Sequence, residues 1–208
     1  MKLYFSPGAC ALAPHIMMAE LNYVYELEAV NLKDKTCAAG NYLNINAKGS
    51  VPALRMENGE ILTETGVICQ YLADQKNDTT MLPKFGTTER YRCLEWMNFI
   101  ATEVHTSFSP LFFTKTFSDS ETTQNDVKAF YTQKINTKLE YISGKLGNND
   151  YLMGKNFTIA DAYMFTVLSW AKYVNMDLSK WTNVTNYLSR IYARPAVQRA
   201  MKEEGLLN

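Results

Sequence analysis

The chain has 208 residues, 47% apolar and 20% charged, which is the composition of a soluble globular protein with an ample core. Its formal net charge is zero, so charge gives no reason to expect a nucleic acid or an anionic membrane as partner. No apolar run approaches the roughly 18–20 residues of a membrane span. Four cysteines and two histidines, without zinc-site spacing, predict no bound metal. We expect a reduced, cytoplasmic protein without a membrane or nucleic-acid partner.

The first 80 residues predict a small sheet with packed helices. Lys2–Phe5 is typical of a short buried strand. A helix is predicted from Cys10, with apolar residues along one face, and a second strand at Glu26–Val30. A looser segment, 31–50, then separates this unit from a third strand that opens at Val51.

A hairpin is predicted at Asn58-Gly59, between the strand segments Ala53–Glu57 and Glu60–Leu62. Asn-Gly is the usual pair for a two-residue turn in which both residues have positive φ. A helix follows from Glu64 to about Asp74. The order strand, helix, strand, hairpin, helix therefore combines parallel and antiparallel pairing in one sheet.

No strand pattern follows Thr80, and the rest of the chain predicts a helical bundle. Pro110 is expected to kink or end the first of its helices. The predicted helices cover about 87–108, 120–145, 159–174, 183–193 and 196–204. We therefore expect two domains, an α+β unit at 1–80 and an all-α unit at 81–208.

The start of the helix predicted at 159–174 carries a capping box. The Thr158 hydroxyl is expected to bond the backbone N–H of Asp161, whose carboxylate reaches back to Thr158. Asp161 could be mistaken for a catalytic acid. We interpret it as structural, because capping accounts for its position.

Cys10 follows the turn Ser6-Pro7-Gly8, where a strand gives way to a helix. Free backbone N–H groups and the positive end of the dipole meet at a helix start, and both favour a thiolate over a thiol. We therefore expect the pKa of Cys10 to be lowered and its sulfur to be reactive near neutral pH. The alternative is a small buried cysteine that only packs.

Two other segments of this domain predict a site for a short zwitterionic peptide. If the Val51–Pro52 peptide bond is cis, the backbone polar groups of Val51 turn away from the sheet and can pair with an extended ligand. Glu64 and Thr65 begin a helix, where N–H groups and a hydroxyl suit a carboxylate, and Glu64 suits an ammonium group. Glu64 could equally be a first-turn residue that matches the helix dipole.

Four segments resemble, in the same order, the bacterial beta class of cytosolic glutathione transferases. They are SPGACALAPHI, NAKGSVPALRMENGEILTETGVICQYLAD, WMNFIATEVHTSFSPLF and FTIADAYMFTVLSWA. The resemblance covers essentially the whole chain and implies the glutathione transferase fold: a thioredoxin-like N-terminal domain, then an all-α helical bundle. It also implies a homodimer that conjugates glutathione, as co-substrate and without a prosthetic group, to small apolar electrophiles.

The resemblance implies roles for individual residues. Cys10 and His105 would be the catalytic residues, with a ring N–H of His105 stabilising a thiolate. Val51 would pair with the cysteinyl part of glutathione, and Glu64 and Thr65 would hold its γ-glutamyl end. The glutathione-binding residues that the resemblance implies are Ala9, Lys35, Val51, Pro52, Glu64, Thr65, Asn98, Thr102, Glu103 and Val104.

The helical domain would contribute one face of its first helix to the site. Asn98, Thr102 and His105 are spaced i, i+4 and i+7, so an α-helix places them on one side. Glu103 is rotated away and would reach the glutathione amino group, from its own or the partner subunit. The family match assigns Lys35 to the glycine carboxylate.

Three functions are open on the sequence. Conjugation through a glutathione thiolate is the leading prediction, with reduction of peroxides or mixed disulfides through Cys10 as a further activity. The alternatives are a glutathione-dependent thiol–disulfide oxidoreductase and a non-catalytic ligand-binding scaffold, which would need neither Cys10 nor His105. The wall for the co-substrate is predicted near Phe108, Leu111, Phe112, Phe113 and Trp170. The alternative is that the aromatic residues there belong to the core of the helical bundle.

Overall fold

The computed structural model describes residues 1–207 and contains a mixed sheet followed by helices. The strands of these residues are Lys2–Phe5 (β1), Glu26–Ala29 (β2), Thr36–Cys37 (β3), Gly40–Asn41 (β4), Ala53–Arg55 (β5) and Ile61–Thr63 (β6). The α-helices are Leu12–Glu20 (α1), Thr65–Gln75 (α2), Thr88–Phe99 (α3), Thr106–Phe112 (α4), Glu121–Leu146 (α5), Ile159–Leu168 (α6), Thr182–Tyr192 (α7) and Pro195–Glu203 (α8). A π-helical turn, Ile100–His105, joins α3 to α4, and short 3₁₀ helices occur at Tyr42–Asn44, Thr114–Thr116 and Ser169–Val174.

Strand β1 lies inside the four-stranded sheet, whose order is β2-β1-β5-β6. It runs parallel to β2, because α1 crosses between them, and antiparallel to β5, which turns back into β6. Leu3 is aligned with Leu27 on one side and with Leu54 on the other. Leu3 and Leu54 are fully buried in one cluster with apolar residues of α1 and α2, so these helices cover one face of the sheet.

Helix α1 joins the two parts of the chain into one core. It packs on α2 and also on α6 and α8. Met17 of α1 is buried in the same cluster as Met164 of α6 and Met201 of α8. The predicted division near residue 80 falls in the segment 76–87, between the end of α2 and the start of α3. The sheet domain and the helical domain therefore share apolar surface.

The hairpin between β5 and β6 differs from the predicted two-residue turn. The Gly59 N–H bonds to the Met56 carbonyl at 3.0 Å, and the Met56 N–H bonds to the Glu60 carbonyl at 2.9 Å, so residues 57–59 form a three-residue loop. Gly59 has a φ of +87°, whereas Asn58 is not in the positive-φ region. The prediction is wrong because Asn-Gly also suits a type I turn that ends in a left-handed glycine.

The helix predicted over 87–108 contains a π turn and runs past Pro110. Helix α3 ends at Phe99, and α4 continues to Phe112 with Pro110 inside it. Pro110 is the fifth residue of α4, and the carbonyl four residues before it belongs to Thr106, the first residue of that helix. Pro110 was expected to kink or end the helix, and the predicted end is wrong because α4 continues for two residues beyond it.

Asp161 is buried and caps α6, which confirms the predicted capping box. Its Oδ2 accepts the Thr158 N–H at 2.8 Å and the Thr158 hydroxyl at 2.9 Å. Its Oδ1 accepts the Leu152 N–H at 2.9 Å and the Tyr187 hydroxyl at 3.1 Å. Burial outweighs these donors and raises the pKa of Asp161 to about 6. The carboxylate therefore ties α6 to its surroundings.

No helix within residues 1–207 is long and apolar enough to cross a membrane. The same residues hold no group of three or more His, Cys, Asp or Glu side chains placed to bind a metal ion.

Candidate active site

Cys10 lies in a tight turn between β1 and α1. The N–H groups of Ala9 and Leu12 close the turn by bonding to the carbonyls of Ser6 and Ala9, both at 3.0 Å. Gly8 has a φ of +72°, a conformation that a side chain would strain. Helix α1 begins at Leu12, so Cys10 precedes the helix and does not lie in its first turn as predicted.

The Cys10 thiol donates to the Val51 carbonyl, with an Sγ–O distance of 3.2 Å. The residue is partly exposed, but its sulfur is largely shielded from water, and this burial raises the pKa of the Cys10 thiol. The hydroxyl of Thr65 works in the opposite direction but does not offset the burial. The predicted lowering of the pKa is therefore wrong, because desolvation outweighs a helix start that lies further along the chain.

The Val51–Pro52 peptide bond is cis, which is the condition on which the predicted peptide site depends. Within residues 1–207, the Val51 N–H donates no hydrogen bond. Val51 and Pro52 are buried ahead of β5 and line a cavity together with Cys10. A backbone N–H without a partner at a cavity wall is available to the carbonyl of a peptide ligand.

Glu64 precedes α2 with a φ of +73°, which is uncommon for a residue other than glycine. Its carboxylate forms an exposed ion pair with Lys48. Thr65, the first residue of α2, is buried, and both Glu64 and Thr65 line the cavity that contains Cys10. This strained backbone therefore brings a carboxylate and the N–H groups of a helix start to one wall.

His105 ends the π turn and also lines this cavity. Its Nδ1 lies 2.8 Å from the hydroxyl oxygen of Tyr163. Its ring packs edge to face against Trp170, with 4.8 Å between the ring centroids. Burial lowers the pKa of His105, so the neutral imidazole predominates at pH 7.

Two cavities share Cys10 and His105. The smaller, of about 700 Å³, is also lined by five of the predicted glutathione-binding residues, Val51, Pro52, Glu64, Thr65 and Asn98. The larger, of about 1180 Å³, is also lined by three of them, Ala9, Lys35 and Val51. The structure therefore places both catalytic candidates and most of the binding candidates around two adjoining cavities.

The larger cavity has an aromatic wall, formed by Phe112, Phe113, Trp170 and Tyr173. Phe112, Phe113 and Trp170 were predicted there. Phe108 was also predicted there but is fully buried in the core, and Leu111 lines neither cavity. The alternative of a core residue therefore holds for Phe108, and the wall prediction is wrong for Leu111.

Three residues of the π turn, Thr102, Glu103 and Val104, line neither cavity. This contradicts the prediction for Thr102 and Val104, whereas Glu103 was expected to be rotated away and its role toward glutathione stays a prediction. Thr102 is exposed, and its hydroxyl donates to the Asn98 carbonyl at 3.0 Å. Glu103 forms an ion pair with Lys138 of the same subunit. Val104 is fully buried in the core, so its predicted contact with glutathione is wrong. The π turn changes the helical phase, so the spacing rule for an α-helix does not hold there.

Tyr163 was missed by the sequence analysis. It is buried on α6, lines the smaller cavity and contacts His105 through its hydroxyl. A tyrosine in the apolar segment Ala162–Leu168 is typical of a core residue, so the sequence offered no reason to place it in the site. The one available signal is that a buried tyrosine hydroxyl needs a hydrogen-bond partner.

The family described as glutathione S-transferase, N-terminal domain, matches residues 1–74, and the family described as glutathione S-transferase, C-terminal domain, matches residues 99–195. The chain is 40% identical over 207 residues to glutathione S-transferase GstA of Escherichia coli O157:H7, covering 99% of this chain and 100% of that protein.

Solved structures agree with this assignment. The chain is similar to a bacterial beta class glutathione S-transferase of Sphingomonas chungbukensis, with 37% identity, a TM-score of 0.91 and 100% of both chains covered. It is also similar to a sphingomonad glutathione S-transferase in complex with glutathione, with 36% identity, a TM-score of 0.90 and 100% of both chains covered. Because both domains match in order and the similarity runs through the full length, the chain belongs to the glutathione S-transferase family of enzymes.

Proposed function

We propose that this protein binds glutathione along Val51, with the γ-glutamyl end in the smaller cavity. It joins glutathione, through its sulfur, to a small electrophile in the larger cavity. The observation that carries the proposal is that Cys10, Val51 and His105 line both cavities. A sulfur held beside these residues therefore lies between the two. The sphingomonad relative, whose structure is described as a complex with glutathione, supports the choice of ligand.

Each charged group of glutathione has a matching wall. The γ-glutamyl carboxylate suits the start of α2, where Thr65 adds a hydroxyl, and the ammonium group suits the carboxylate of Glu64. The glycine carboxylate suits Lys35, whose Nζ now donates to the Gly49 carbonyl at 2.7 Å. The cysteinyl carbonyl can accept the unpaired N–H of Val51.

The chemistry needs glutathione as a thiolate. Lowering a thiol pKa from near 9 to near 7 takes about 3 kcal/mol of preferential thiolate stabilisation. Hydrogen bonds to a charged acceptor contribute about 1.5–3 kcal/mol each, so two donors suffice. The Cys10 thiol and a ring N–H of His105 would supply them, and the raised pKa of Cys10 keeps its proton available for donation. The thiolate then attacks an electrophilic carbon, a C–S bond forms, and the leaving group departs with the electron pair.

The electrophile is proposed to be small, apolar and preferably aromatic. Phe112 and Phe113 expose 42% and 60% of their surface at the wall of the larger cavity, and Tyr173 exposes 51%. Covering such surface contributes about 25 cal/mol per Å² of apolar area removed from water. The aromatic wall therefore favours a flat apolar co-substrate.

Reduction of mixed disulfides is a second candidate function, favoured by the position of Cys10 at the wall of both cavities. The Cys10 thiolate would attack the glutathione sulfur of a mixed disulfide, form a Cys10–glutathione disulfide and release the other thiolate. A second glutathione thiolate would then regenerate Cys10 and leave as glutathione disulfide. The raised pKa of Cys10 disfavours the attacking form, so this activity ranks second.

We also propose that the enzyme is a cytoplasmic homodimer that acts in detoxification, as is typical of the family. Glu103 lies away from the cavities of its own subunit, which suits a role toward the partner subunit. Light scattering after size exclusion should then report twice the chain mass of 23.7 kDa. A monomeric mass would overturn the proposed dimer and would leave the proposed conjugation reaction unaffected.

Retention on immobilised glutathione, followed by conjugation of glutathione to a chlorodinitrobenzene, tests the main proposal. We expect retention, elution by free glutathione, and release of one chloride per conjugate formed. Cys10→Ser should keep the retention and lose disulfide reduction. A folded protein that neither binds the column nor forms the conjugate would overturn the proposed function.

A further inference from the structure

The imidazole of His105 is held between two aromatic residues, Tyr163 of α6 and Trp170 of the 3₁₀ helix that follows α6. The hydroxyl oxygen of Tyr163 lies 2.8 Å from Nδ1, and the two rings are perpendicular, with 6.0 Å between their centroids. Trp170 packs against the same imidazole at an interplanar angle of 69°. Tyr163 is 3% exposed and Trp170 is 7% exposed, so both supports are part of the packed interior. The orientation of the imidazole is therefore determined.

The bond between Tyr163 and His105 can run in two directions, which give the histidine opposite roles. If His105 donated from Nδ1, its Nε2 would carry a lone pair and could act as a base. If Tyr163 donates to Nδ1, Nε2 carries the proton and becomes a donor. A neutral imidazole nitrogen is a better acceptor than a phenol oxygen, whose lone pair is delocalised into the ring, and a phenol is a better donor than a neutral imidazole. The second direction is therefore favoured.

We infer that Tyr163 holds His105 in the tautomer with its proton on Nε2, so that His105 donates a hydrogen bond to the glutathione sulfur and does not remove its proton. This role rests on the proposed function. Within residues 1–207, Nε2 makes no hydrogen bond, and His105 lines both cavities. The Nε2–H group is thus free for a ligand in the cleft. The proton of the glutathione thiol then leaves to solvent water.

The neutral state that a tautomer requires is supported independently. Burial lowers the pKa of His105, and no acidic side chain adds to or opposes that shift. Burial also raises the pKa of Tyr163, so its hydroxyl keeps the proton that it donates. Tyr163 is accordingly a positioning residue that acts through His105.

The tautomer can be read directly by long-range ¹H–¹⁵N correlation spectra of uniformly ¹⁵N-labelled protein. The chain has two histidines, and a His105→Gln variant assigns the signals. We expect a pyrrole-type signal for Nε2 and a pyridine-type signal for Nδ1 of His105 in the wild type. The reverse pattern would overturn the inference. This measurement needs neither glutathione nor turnover. Its result therefore tests the tautomer of His105 alone, and the proposed function is tested by the binding and conjugation assays.

The second measurement is Tyr163→Phe, with Tyr141→Phe as the matched control. Tyr141 is 46% exposed and packs on Trp96 and Phe99, outside both cavities. Tyr163→Phe should shift the His105 tautomer and lower kcat for conjugation about tenfold, with the KM for glutathione almost unchanged. Tyr141→Phe should change neither. An unaltered His105 spectrum in Tyr163→Phe would contradict the inference, whatever the activity.

Discussion

The indole Nε1 of Trp170 donates to the carbonyl oxygen of Gly8 at 2.7 Å. From the other side, the Gly8 N–H donates to the Glu204 carboxylate at 2.9 Å. Glu204 is itself buried against the buried His15 of α1, with 3.0 Å between Oε1 and Nδ1, so this histidine has a structural role. The turn that presents Cys10 is thus held by residues more than 150 positions away in the chain.

Removing the indole donor should loosen this turn. Trp170→Phe keeps most of the aromatic wall but loses the bond to Gly8, so we expect the free energy of unfolding to fall by about 1 kcal/mol. The KM for the electrophile should rise, because the smaller phenyl ring offers less apolar contact surface at the wall of the larger cavity. Urea denaturation and steady-state kinetics measure the two effects. Trp96→Phe, outside both cavities, is the control, and equal behaviour of the two variants would contradict the prediction.

The strained backbone at Glu64 predicts opposite effects on stability and binding. Glu64→Gly relieves a left-handed φ of +73° and should raise the free energy of unfolding by about 1 kcal/mol. It should also weaken glutathione binding about tenfold, because the carboxylate that faces the ammonium group is lost. Calorimetric titration and urea denaturation measure both.

Glu64→Gln separates charge from conformation. It removes the negative charge but keeps the strained φ, so binding should weaken without a gain in stability. A stabilised Glu64→Gln variant would contradict the prediction, because it would show that the charge of the carboxylate, and not the backbone, governs the change in stability.

Alkylation of Cys10 should be slow at neutral pH. Burial raises the pKa of this thiol above its ordinary value of 9.0, so its thiolate fraction at pH 7 is below that of a free cysteine. The rate of modification by iodoacetamide, followed by mass spectrometry of the Cys10 peptide, should therefore rise with pH and not yet level off at pH 9. Cys37 is also partly exposed, and its rate of alkylation, measured in a Cys10→Ser variant, is the comparison for the rate at Cys10. A midpoint below pH 8 for Cys10 would restore the lowered pKa that the sequence suggested.

Asp161 should matter for stability and not for substrate. Asp161→Asn leaves at least one of the four donors around the carboxylate unpaired in the core, so we expect a loss of about 2–4 kcal/mol. The KM for glutathione should be unchanged in the folded fraction. A kinetic defect without a loss of stability would reverse the assignment of this residue.

The pH dependence of stability tests the same carboxyl group. Its pKa is raised from 3.8 to about 6, so the folded state holds the proton more tightly than the unfolded state. Its contribution is fully present below about pH 4 and is lost as pH rises through about 6. The difference in unfolding free energy between wild type and Asp161→Asn should vary across this range. A constant difference from pH 4 to pH 7 would contradict the raised pKa.

Local features were predicted well because neighbouring residues encode them. Strand β1 was predicted with the observed limits, and α7 and α8 differ from the predicted helices by one residue at each end. The Thr158 capping box needs only four consecutive residues to form. Errors arose where one local pattern suits two structures, as at Asn58-Gly59, or where the helix leaves its regular period, as at Val104.

By itself, the sequence determined the order of strands and helices, the turn before Cys10 and the family, since apolar periodicity, turn residues and motif order all lie in short stretches of chain. The tertiary structure alone decided the pKa of Cys10, the exclusion of Thr102 and Val104 from the cleft, and the pairing of His105 with Tyr163. Desolvation and hydrogen-bond partners depend on what packs against a side chain from distant parts of the chain, and no local pattern records that.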